Sequence, residues 1–320
     1  MSPPPLFILG VRRSGTTLLR VMLDRHSELA VPDESYFIPQ LAGRHRGRIN
    51  PDAFADDLRR LPTLRDWSVR AEDVRARLAP GATLADGIRA VYELYAEARG
   101  KRRWGDKTPM YMQHLRLLER LFPDALYVHL VRDGRDAALS FLSMPRGIVT
   151  ETWGRPRTVA GFACQWRSEV LAARALGKRS GPGRYLEVRY EALVADPAGE
   201  LRRTCDFAGL PYEPGMLEYA GAVDVSAKPH QQSLSRPPTP GLRDWRQTMA
   251  PAEVAAFERI ADDVLAAYGY QLHTRARPRG PGFRARWALA SYALRTGAWR
   301  AAGSAVRRSP VWRRRHPPLD

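Results

Sequence analysis

The stretch Gly10-Val-Arg-Arg-Ser-Gly-Thr-Thr17 decides the fold of this 320-residue chain. It has the spacing of a phosphate-binding loop, except that Thr16 stands where the usual lysine would be. The apolar run before it, residues 5–9, predicts a buried strand, and residues 18–23 after it predict a helix. The N–H groups of such a turn and the positive end of its helix bind an anionic oxygen cluster. Because phosphotransferases use the missing lysine to reach the β- and γ-phosphates, the loop is predicted to hold a shorter nucleotide tail.

A second signal begins with the apolar run 125–131, which predicts another strand. It leads directly into Arg132-Asp-Gly-Arg-Asp-Ala-Ala-Leu-Ser140. Asp133 can cap the helix that follows, and Ser140 lies about two turns along it, near the face of Arg132. With both motifs in order, the sequence resembles the sulfotransferases that use 3′-phosphoadenosine-5′-phosphosulfate (PAPS). Residues 10–39 most resemble the tyrosylprotein-type branch of that family.

The resemblance implies a binding role for residues of both motifs. The 5′-phosphosulfate would be held by the loop, and the 3′-phosphate by Arg132 and Ser140; the loop residues are Arg12, Arg13, Ser14, Gly15, Thr16 and Thr17. Of these, Arg13 would contact the phosphosulfate directly and is also a catalytic candidate. The ring of Tyr190 would lie near the adenine and could stack on it, although a half-buried strand tyrosine is an equal alternative. Arg236 would close over the 3′-phosphate, but the sequence there departs from the family's usual lysine- or glycine-containing pattern.

Sulfuryl transfer to a hydroxyl needs a base near the acceptor, and Glu34 is the leading candidate. In the tyrosylprotein-type branch the catalytic glutamate falls at this position. The alternative is a surface carboxylate or a helix cap, since Asp33-Glu34-Ser35 also has the pattern of a helix start. Asp33 is the next candidate for the base. Histidine serves in other branches, so His45 and His230 stay open, whereas His26 is predicted to be a packed structural residue.

Lys107 is the candidate cation for the leaving oxygen. It is one of only four lysines against 47 arginines, and it lies in the extended segment Gly105-Asp-Lys-Thr-Pro109. A compact ammonium group can stabilise the charge that develops on the leaving oxygen, and family resemblance favours this role. The alternative is a solvated turn lysine paired to Asp106. Histidine and carboxylate clusters at ligand spacing are missing, so no metal is predicted.

The net charge of +17 is concentrated in the tail. From Arg275 to the end there are twelve arginines and one acid, Asp320, so this segment supplies +11. The remaining +6 suits a phosphate-rich ligand, and nucleic acid is not predicted as a partner. Aromatic residues among the tail arginines suggest short amphipathic helices, which would lie on an anionic membrane or, with slight preference, be a solvated or packed extension.

Other features of the sequence predict a cytoplasmic protein with peripheral membrane contact as an option. Two isolated cysteines, Cys164 and Cys205, fit a reducing compartment and are predicted to be buried core thiols. The first residues lack the basic region of a signal peptide, and no apolar run is long enough to span a bilayer.

Strands that alternate with helices predict a three-layer α/β/α fold around a central parallel sheet. A sulfotransferase domain would cover residues 1–274, with a helical insertion at about 41–100, and the basic extension 275–320 would follow. A loop at 226–243, rich in Pro, Ser and Gln, is predicted to be a lid. Residues 184–190 are predicted to form a further strand, and residues 104–109 an extended segment. The predicted helices are 51–61, 83–99, 111–122, 133–142, 158–176, 197–208 and 251–267.

The predicted function is transfer of a sulfuryl group from PAPS to an acceptor hydroxyl. The acceptor class is left open among small molecules, glycans or lipids, and tyrosyl groups. A phosphate-loop kinase that uses ATP is the second interpretation, and Thr16 argues against it. A non-catalytic nucleotide- or membrane-binding module is the third, and the presence of both Glu34 and Lys107 argues against that. The sequence does not indicate an oligomeric state.

Overall fold

A computed structural model describes residues 3–144, 156–220, 244–274 and 279–308, with the backbone alone at 299–308. The predicted lid at 226–243, with Arg236 and His230, lies outside the described residues. The chain forms two compact units. The first contains Met1–Val11, Gly15–Val131 and Ala172–Pro240, and the second contains Arg12–Ser14, Arg132–Leu171 and Gly241–Asp320. The predicted boundary near residue 274 stays a prediction.

The first unit is built on a parallel sheet of five strands among the described residues. The strands are β1 (Leu6–Leu9), β2 (Leu29–Ala30), β3 (Arg103–Asp106), β4 (Leu126–Val131) and β5 (Tyr185–Arg189). They lie side by side in the order β2-β3-β1-β4-β5, and neighbours in this order are hydrogen-bonded. Pairing of Leu6 with Gly105 and of Phe7 with Tyr127 sets β1 in register between β3 and β4. The carboxyl ends of these parallel strands therefore lie at one edge of the sheet, where α/β folds bind their ligands.

Alternate residues of β1 enter two separate hydrophobic clusters, so helices cover both faces of the sheet. Phe7 and Leu9 pack among the helices of the predicted insertion, whereas Leu6 and Ile8 pack against α1 and the helices after β5. Continuous burial of this kind is typical of a parallel strand between two helical layers. The predicted three-layer fold is confirmed. The helices of this unit are α1 (Thr16–Asp24), α2 (Ile38–Arg44), α3 (Pro51–Arg59), α4 (Pro62–Asp66), α5 (Ala71–Arg77), α6 (Leu84–Glu97), α7 (Leu115–Leu121), α10 (Tyr190–Ala195) and α11 (Pro197–Ala208).

Most predicted elements are confirmed. The helices α2, α4 and α5 were not predicted individually, and three other differences concern the strands and the segment 111–122. The predicted helix 111–122 is a 3₁₀ turn, Pro109–Gln113, followed by α7, because His114 has non-helical angles. Tyr190 does not end the last strand but begins α10. The third difference is β2, which was not predicted; at two residues it is too short to show a periodic pattern.

The second unit is organised around a buried arginine, Arg135. Its guanidinium pairs with Asp133 and Glu258, each at 2.7 Å, and lies 3.8 Å from the Trp245 ring centroid. Trp245 is therefore a buried packing residue. Asp133 also caps helix α8 by accepting from Arg135 N, in agreement with the sequence. The helices here are α8 (Gly134–Leu142), α9 (Val159–Ser180, which continues into the first unit), α12 (Trp245–Thr248), α13 (Pro251–Ala267) and α14 (Phe283–Arg308).

Both cysteines are free and buried, as expected of core thiols. Within the described ranges, no helix has the length and apolar character needed to cross a membrane. His26 is fully buried, and its Nε2 lies 2.8 Å from the carbonyl of Pro211, which confirms its packed position.

Candidate active site

The phosphate loop follows β1 and ends at the first turn of α1. Gly15 caps this helix with φ = 90°, in the left-handed region that favours glycine. The Tyr190 ring lies against it, so a Cβ at position 15 would come within 2.3 Å of the ring. Both the backbone angle and this contact therefore exclude a larger residue at position 15.

The amino end of α1 is open to an anion. Among the residues that the structure describes, no side chain caps it, and its first turn contains no acidic residue. N–H groups at the start of a helix lack intrahelical partners, and the helix dipole adds positive potential there. The first turn of α1 can therefore hold the anionic group that the loop spacing predicts. Thr16 is buried here, and Thr17 is half-buried at the next position.

Glu34 and Lys107 form an ion pair in the first unit, although 73 residues separate them in sequence. Lys107 Nζ lies 2.5 Å from Glu34 Oε1 and 3.3 Å from Thr17 Oγ1. Lys107 directly follows β3, which pairs with β1, so strand order brings this ammonium group to the start of α1. Two of the three residues predicted for catalysis, Glu34 and Lys107, are thus in direct contact, and Thr17, a predicted phosphosulfate ligand, lies beside Lys107.

The two partners differ in exposure. The side chain of Lys107 is 1% exposed and that of Glu34 is 26% exposed. Burial lowers the pKa of Lys107, and the neighbouring Glu34 carboxylate partly opposes this shift. Tyr36 OH donates to the other carboxylate oxygen, Glu34 Oε2. The ammonium group is enclosed by protein, whereas the carboxylate keeps access to solvent.

A buried polar network fixes the backbone on both sides of this pair. Asp106 Oδ2 accepts from Tyr92 OH at 2.6 Å and from Ser35 Oγ at 2.8 Å. Ser35 N donates to Thr108 Oγ1, and Ser35 Oγ lies 2.6 Å from Tyr111 OH. Ser35 adjoins Glu34, and Asp106 and Thr108 flank Lys107, so the network ties the segment of the base to the segment of the cation.

Burial has a large effect on Asp106 itself. It raises the pKa of this carboxyl to about 6, while hydrogen bonds from Tyr92, Ser35 and Thr108 oppose the rise. Its second oxygen, Oδ1, is buried and has no hydrogen-bond partner among the described residues. The Asp106 carboxyl therefore combines a raised pKa with hydrogen bonds to Ser35 and Tyr92.

The structure decides several alternatives for the catalytic residues. Lys107 pairs with Glu34 and not with Asp106, and it is buried, so the solvated turn lysine is wrong. The helix start at Asp33–Ser35 is also wrong, because α2 begins at Ile38. Asp33 forms an ion pair with Arg20 at 3.0 Å, and His45 lies 3.0 Å from Asp57. Neither alternative base is in the contact made by Glu34 and Lys107.

In the second unit, three of the predicted anchors lie together. Arg13 Nε donates to Ser140 Oγ at 2.8 Å, and Arg132 Nη1 donates to the Arg13 carbonyl at 3.3 Å. Arg13 has a positive φ of 72°, which is rare for a residue with a side chain and is frequent at functional sites. Ser140 is buried, and both arginines are half-buried. The cluster joins two guanidinium groups and a hydroxyl, the groups that bind phosphate well.

Two further loop residues belong to this unit. Ser14 is 1% exposed, and its Oγ has no hydrogen-bond partner in the described part of the chain. A buried hydroxyl without a partner costs about 1–3 kcal/mol, so it fits an anion that would accept from it. Arg12 is half-buried. These observations agree with a phosphosulfate in the loop.

Sequence reasoning missed the residues that hold the site in place. Tyr92 and Tyr111 lie outside the motifs, and Ser35 was considered only as part of a helix start. The fold places Ser35 and Tyr92 at Asp106 and Tyr111 at Ser35. The buried Arg20, which donates to the Val31 carbonyl at 3.1 Å, was also not singled out. Within the residues described, no three His, Cys, Asp or Glu side chains are placed to hold a metal ion, and independence from metal stays a prediction.

Comparison with known proteins decides the family. The model of the sulfotransferase family matches residues 4–214, about two thirds of the chain. This chain belongs to the sulfotransferase family. Its identification from the sequence as a PAPS-dependent sulfotransferase is confirmed, in preference to a kinase or a non-catalytic module.

Relatives and solved structures agree with this assignment. The nodulation protein NoeE of Sinorhizobium fredii is 28% identical over 301 residues, covering 85% of this chain and 67% of NoeE. Protein-tyrosine sulfotransferase A of Caenorhabditis elegans is 27% identical, covering 83% of this chain and 67% of that protein. The chain thus spans about two thirds of the length of these relatives. The sulfotransferase domain of the Synechococcus PCC 7002 olefin synthase is 27% identical, with a TM-score of 0.55, covering 85% of this chain and 97% of that domain.

Proposed function

We propose that this sulfotransferase moves the sulfuryl group of PAPS to an acceptor hydroxyl by in-line displacement, with Glu34 as base and Lys107 as the cation at the leaving oxygen. The observation that carries the proposal is the contact of Lys107 Nζ with both Glu34 Oε1 and Thr17 Oγ1. One ammonium group there contacts the predicted base and a loop hydroxyl at the anion-binding end of α1.

In the proposed reaction, Glu34 and Lys107 act at opposite ends of the transfer. The acceptor oxygen attacks sulfur while the Glu34 carboxylate takes its proton. The bond between sulfur and the bridging oxygen of the 5′-phosphate breaks, and 3′,5′-ADP leaves. Negative charge grows on that bridging oxygen, and the Lys107 ammonium stabilises it more in the transition state than in the ground state. Because Lys107 is enclosed by protein, its charge acts in a medium less polar than water.

The nucleotide is proposed to be recognised through its phosphates. Arg12, Arg13, Ser14 and the N–H groups at the start of α1 would bind the 5′-phosphosulfate. Arg132 and Ser140 would bind the 3′-phosphate, and Tyr190 would contact the adenine. Arg13 Nε, which donates to Ser140 Oγ in the structure, would release that hydroxyl to a phosphate oxygen. The bound state needs no metal in this proposal, since the arginines supply positive charge.

The acceptor is proposed to be a hydroxyl compound. Protein-tyrosine sulfotransferases among the relatives favour a tyrosyl hydroxyl, and small molecules or glycans are the other classes that the same chemistry would serve. A cytoplasmic location is a further part of the proposal, supported by the two free cysteines.

The test is to supply ³⁵S-labelled PAPS with an extract of the protein's own cells and to separate the labelled products. Label on a hydroxyl compound, absent with the Lys107→Ala variant, would support the proposal. Release of labelled sulfate without any labelled acceptor, or label transfer unaffected by Lys107→Ala, would contradict it.

A further inference from the structure

The outer face of helix α14 carries the most exposed large apolar side chains of the described chain. Phe283, Trp287 and Leu294 are 86%, 69% and 72% exposed. The next two, Tyr36 and Leu217, reach only 40% and 38%. Exposure of two aromatic rings and a leucine to water on one helix is unfavourable, and exposed apolar patches are typical of interaction sites.

These three side chains form one line along the helix. At 100° per residue, positions 283, 287 and 294 lie within about 40° of one another. Ala285, on the opposite side, is 8% exposed, and α14 packs against α13. The helix thus uses one face within the second unit. The other face, which we name the apolar stripe (Phe283, Trp287, Leu294), is exposed among the described residues.

Positive charge borders the apolar stripe on both sides. Arg284 and Arg295 follow it on one flank and Arg286 on the other, at about 60–120° around the helix axis. All three are exposed. Helix α14 contains six arginines and no acidic residue. A partner for this face must therefore offer an apolar interior beneath an anionic surface.

We propose that the apolar stripe of α14 docks on the surface of an anionic lipid bilayer. Phe283, Trp287 and Leu294 would enter the region between headgroups and acyl chains, and the arginines beside them would contact lipid phosphates. Tryptophan is enriched at this depth of a membrane because its ring is apolar with one polar N–H. Each arginine near an anionic leaflet adds to the attraction.

The arrangement fits a bilayer better than the other partners. Nucleic acid would require arginines at the centre of the face, where the phosphates approach, but the centre here is apolar. A second copy of this chain would bring the arginines of two identical helices close together without an acidic residue on either to compensate. Such like-charge contacts are unfavourable.

The test uses the full chain without nucleotide, so its outcome is separate from sulfuryl transfer. Binding is measured by flotation with vesicles of phosphatidylcholine alone and with about 30 mol% phosphatidylserine. We expect binding at least about tenfold stronger on the anionic vesicles, and weaker at high salt. Equal binding to both vesicles, or none, would overturn the proposal.

Two matched variants locate the surface. Leu294→Ala on the apolar stripe and Leu217→Ala elsewhere remove the same group from two exposed positions. We expect Leu294→Ala to weaken vesicle binding several-fold, Trp287→Glu to weaken it by about tenfold or more, and Leu217→Ala to leave it unchanged. Equal losses in the two leucine variants would overturn the proposal. So would stripe-dependent dimerisation in sedimentation, or stripe-dependent RNA binding, in the absence of vesicle binding.

Discussion

The Glu34–Lys107 region of the first unit and the Arg13–Ser140 region of the second unit differ in the contacts that their charged groups make. In the first, a buried ammonium group has a carboxylate partner and a polar network on either side of the pair. In the second, half-buried arginines contact a buried hydroxyl and a carbonyl, with positive φ in the loop. We propose that the first region holds a fixed geometry and that the second exchanges its internal contacts for contacts with a ligand. Substitutions should therefore affect rate in one region and affinity in the other.

The largest effect is expected from Glu34→Gln, which keeps the shape of the side chain but cannot take the acceptor's proton. Turnover should fall by about 10²–10⁴, the usual contribution of a general base, while 3′,5′-ADP affinity is retained. Steady-state kinetics and calorimetry on the same preparation measure both. Retained affinity also shows that the variant is folded, although Lys107 has lost its charged partner.

Asp33→Asn is the matched control, because this neighbouring carboxylate pairs with Arg20. A normal turnover rate in Glu34→Gln together with a large loss of turnover in Asp33→Asn would identify Asp33 as the base instead. Lys107→Ala should also lower turnover. Combined with Glu34→Gln its loss should be less than additive, since both residues act on one transition state.

Arg132→Ala should give the opposite pattern. Loss of a charge-assisted bond to the 3′-phosphate should weaken 3′,5′-ADP binding by about 1.5–3 kcal/mol, with little change in melting temperature. Arg102→Ala is the control, since that side chain is 76% exposed and pairs with Glu28. If calorimetry finds that Arg132→Ala binds 3′,5′-ADP normally, this region does not bind the 3′-phosphate.

The supporting network predicts a pH effect on stability. Burial raises the pKa of Asp106 from 3.8 to about 6, so the folded protein binds this proton more tightly than the unfolded chain. Protonation of Asp106 therefore contributes to the free energy of unfolding. This contribution is complete below about pH 4 and is lost as the pH rises through about 6. Asp106→Asn removes the titration. The unfolding free energy of the wild type minus that of the variant should therefore fall by about 2 kcal/mol between pH 4 and pH 8. Urea unfolding of both proteins measures it, and a constant difference would show that Asp106 keeps an ordinary pKa.

The sequence predicted the parts of this molecule that depend on local pattern. β1 and β4 are apolar runs followed by motifs, and the helices Pro197–Ala208 and Pro251–Ala267 have the predicted bounds. Long-range arrangement was not predictable. Pairing of β3 beside β1 is what brings Lys107 to Thr17, and no spacing in the chain encodes it.

The candidate site shows the same division. Glu34, Lys107 and the loop residues were named from motifs and family resemblance, whereas the supporting residues were not. Ser35 and Tyr92 donate to Asp106, and Tyr111 contacts Ser35, through contacts between residues that are far apart in the sequence. The alternative interpretation of the sequence paired Lys107 with the adjacent Asp106. A contact with a residue 73 positions away cannot be inferred from local pattern alone. Roles assigned by resemblance, including those of Tyr190 and Arg236, stay predictions.

The most direct test of the account is a calorimetric comparison of 3′,5′-ADP, 5′-AMP and ATP binding to the wild-type protein, with and without magnesium. A sulfotransferase whose second unit recognises a 3′-phosphate should bind 3′,5′-ADP about 10–100-fold more tightly than 5′-AMP, and magnesium should not be required. ATP should bind weakly, because Thr16 replaces the lysine that would reach its terminal phosphates. Preference for ATP with a requirement for magnesium would contradict the account.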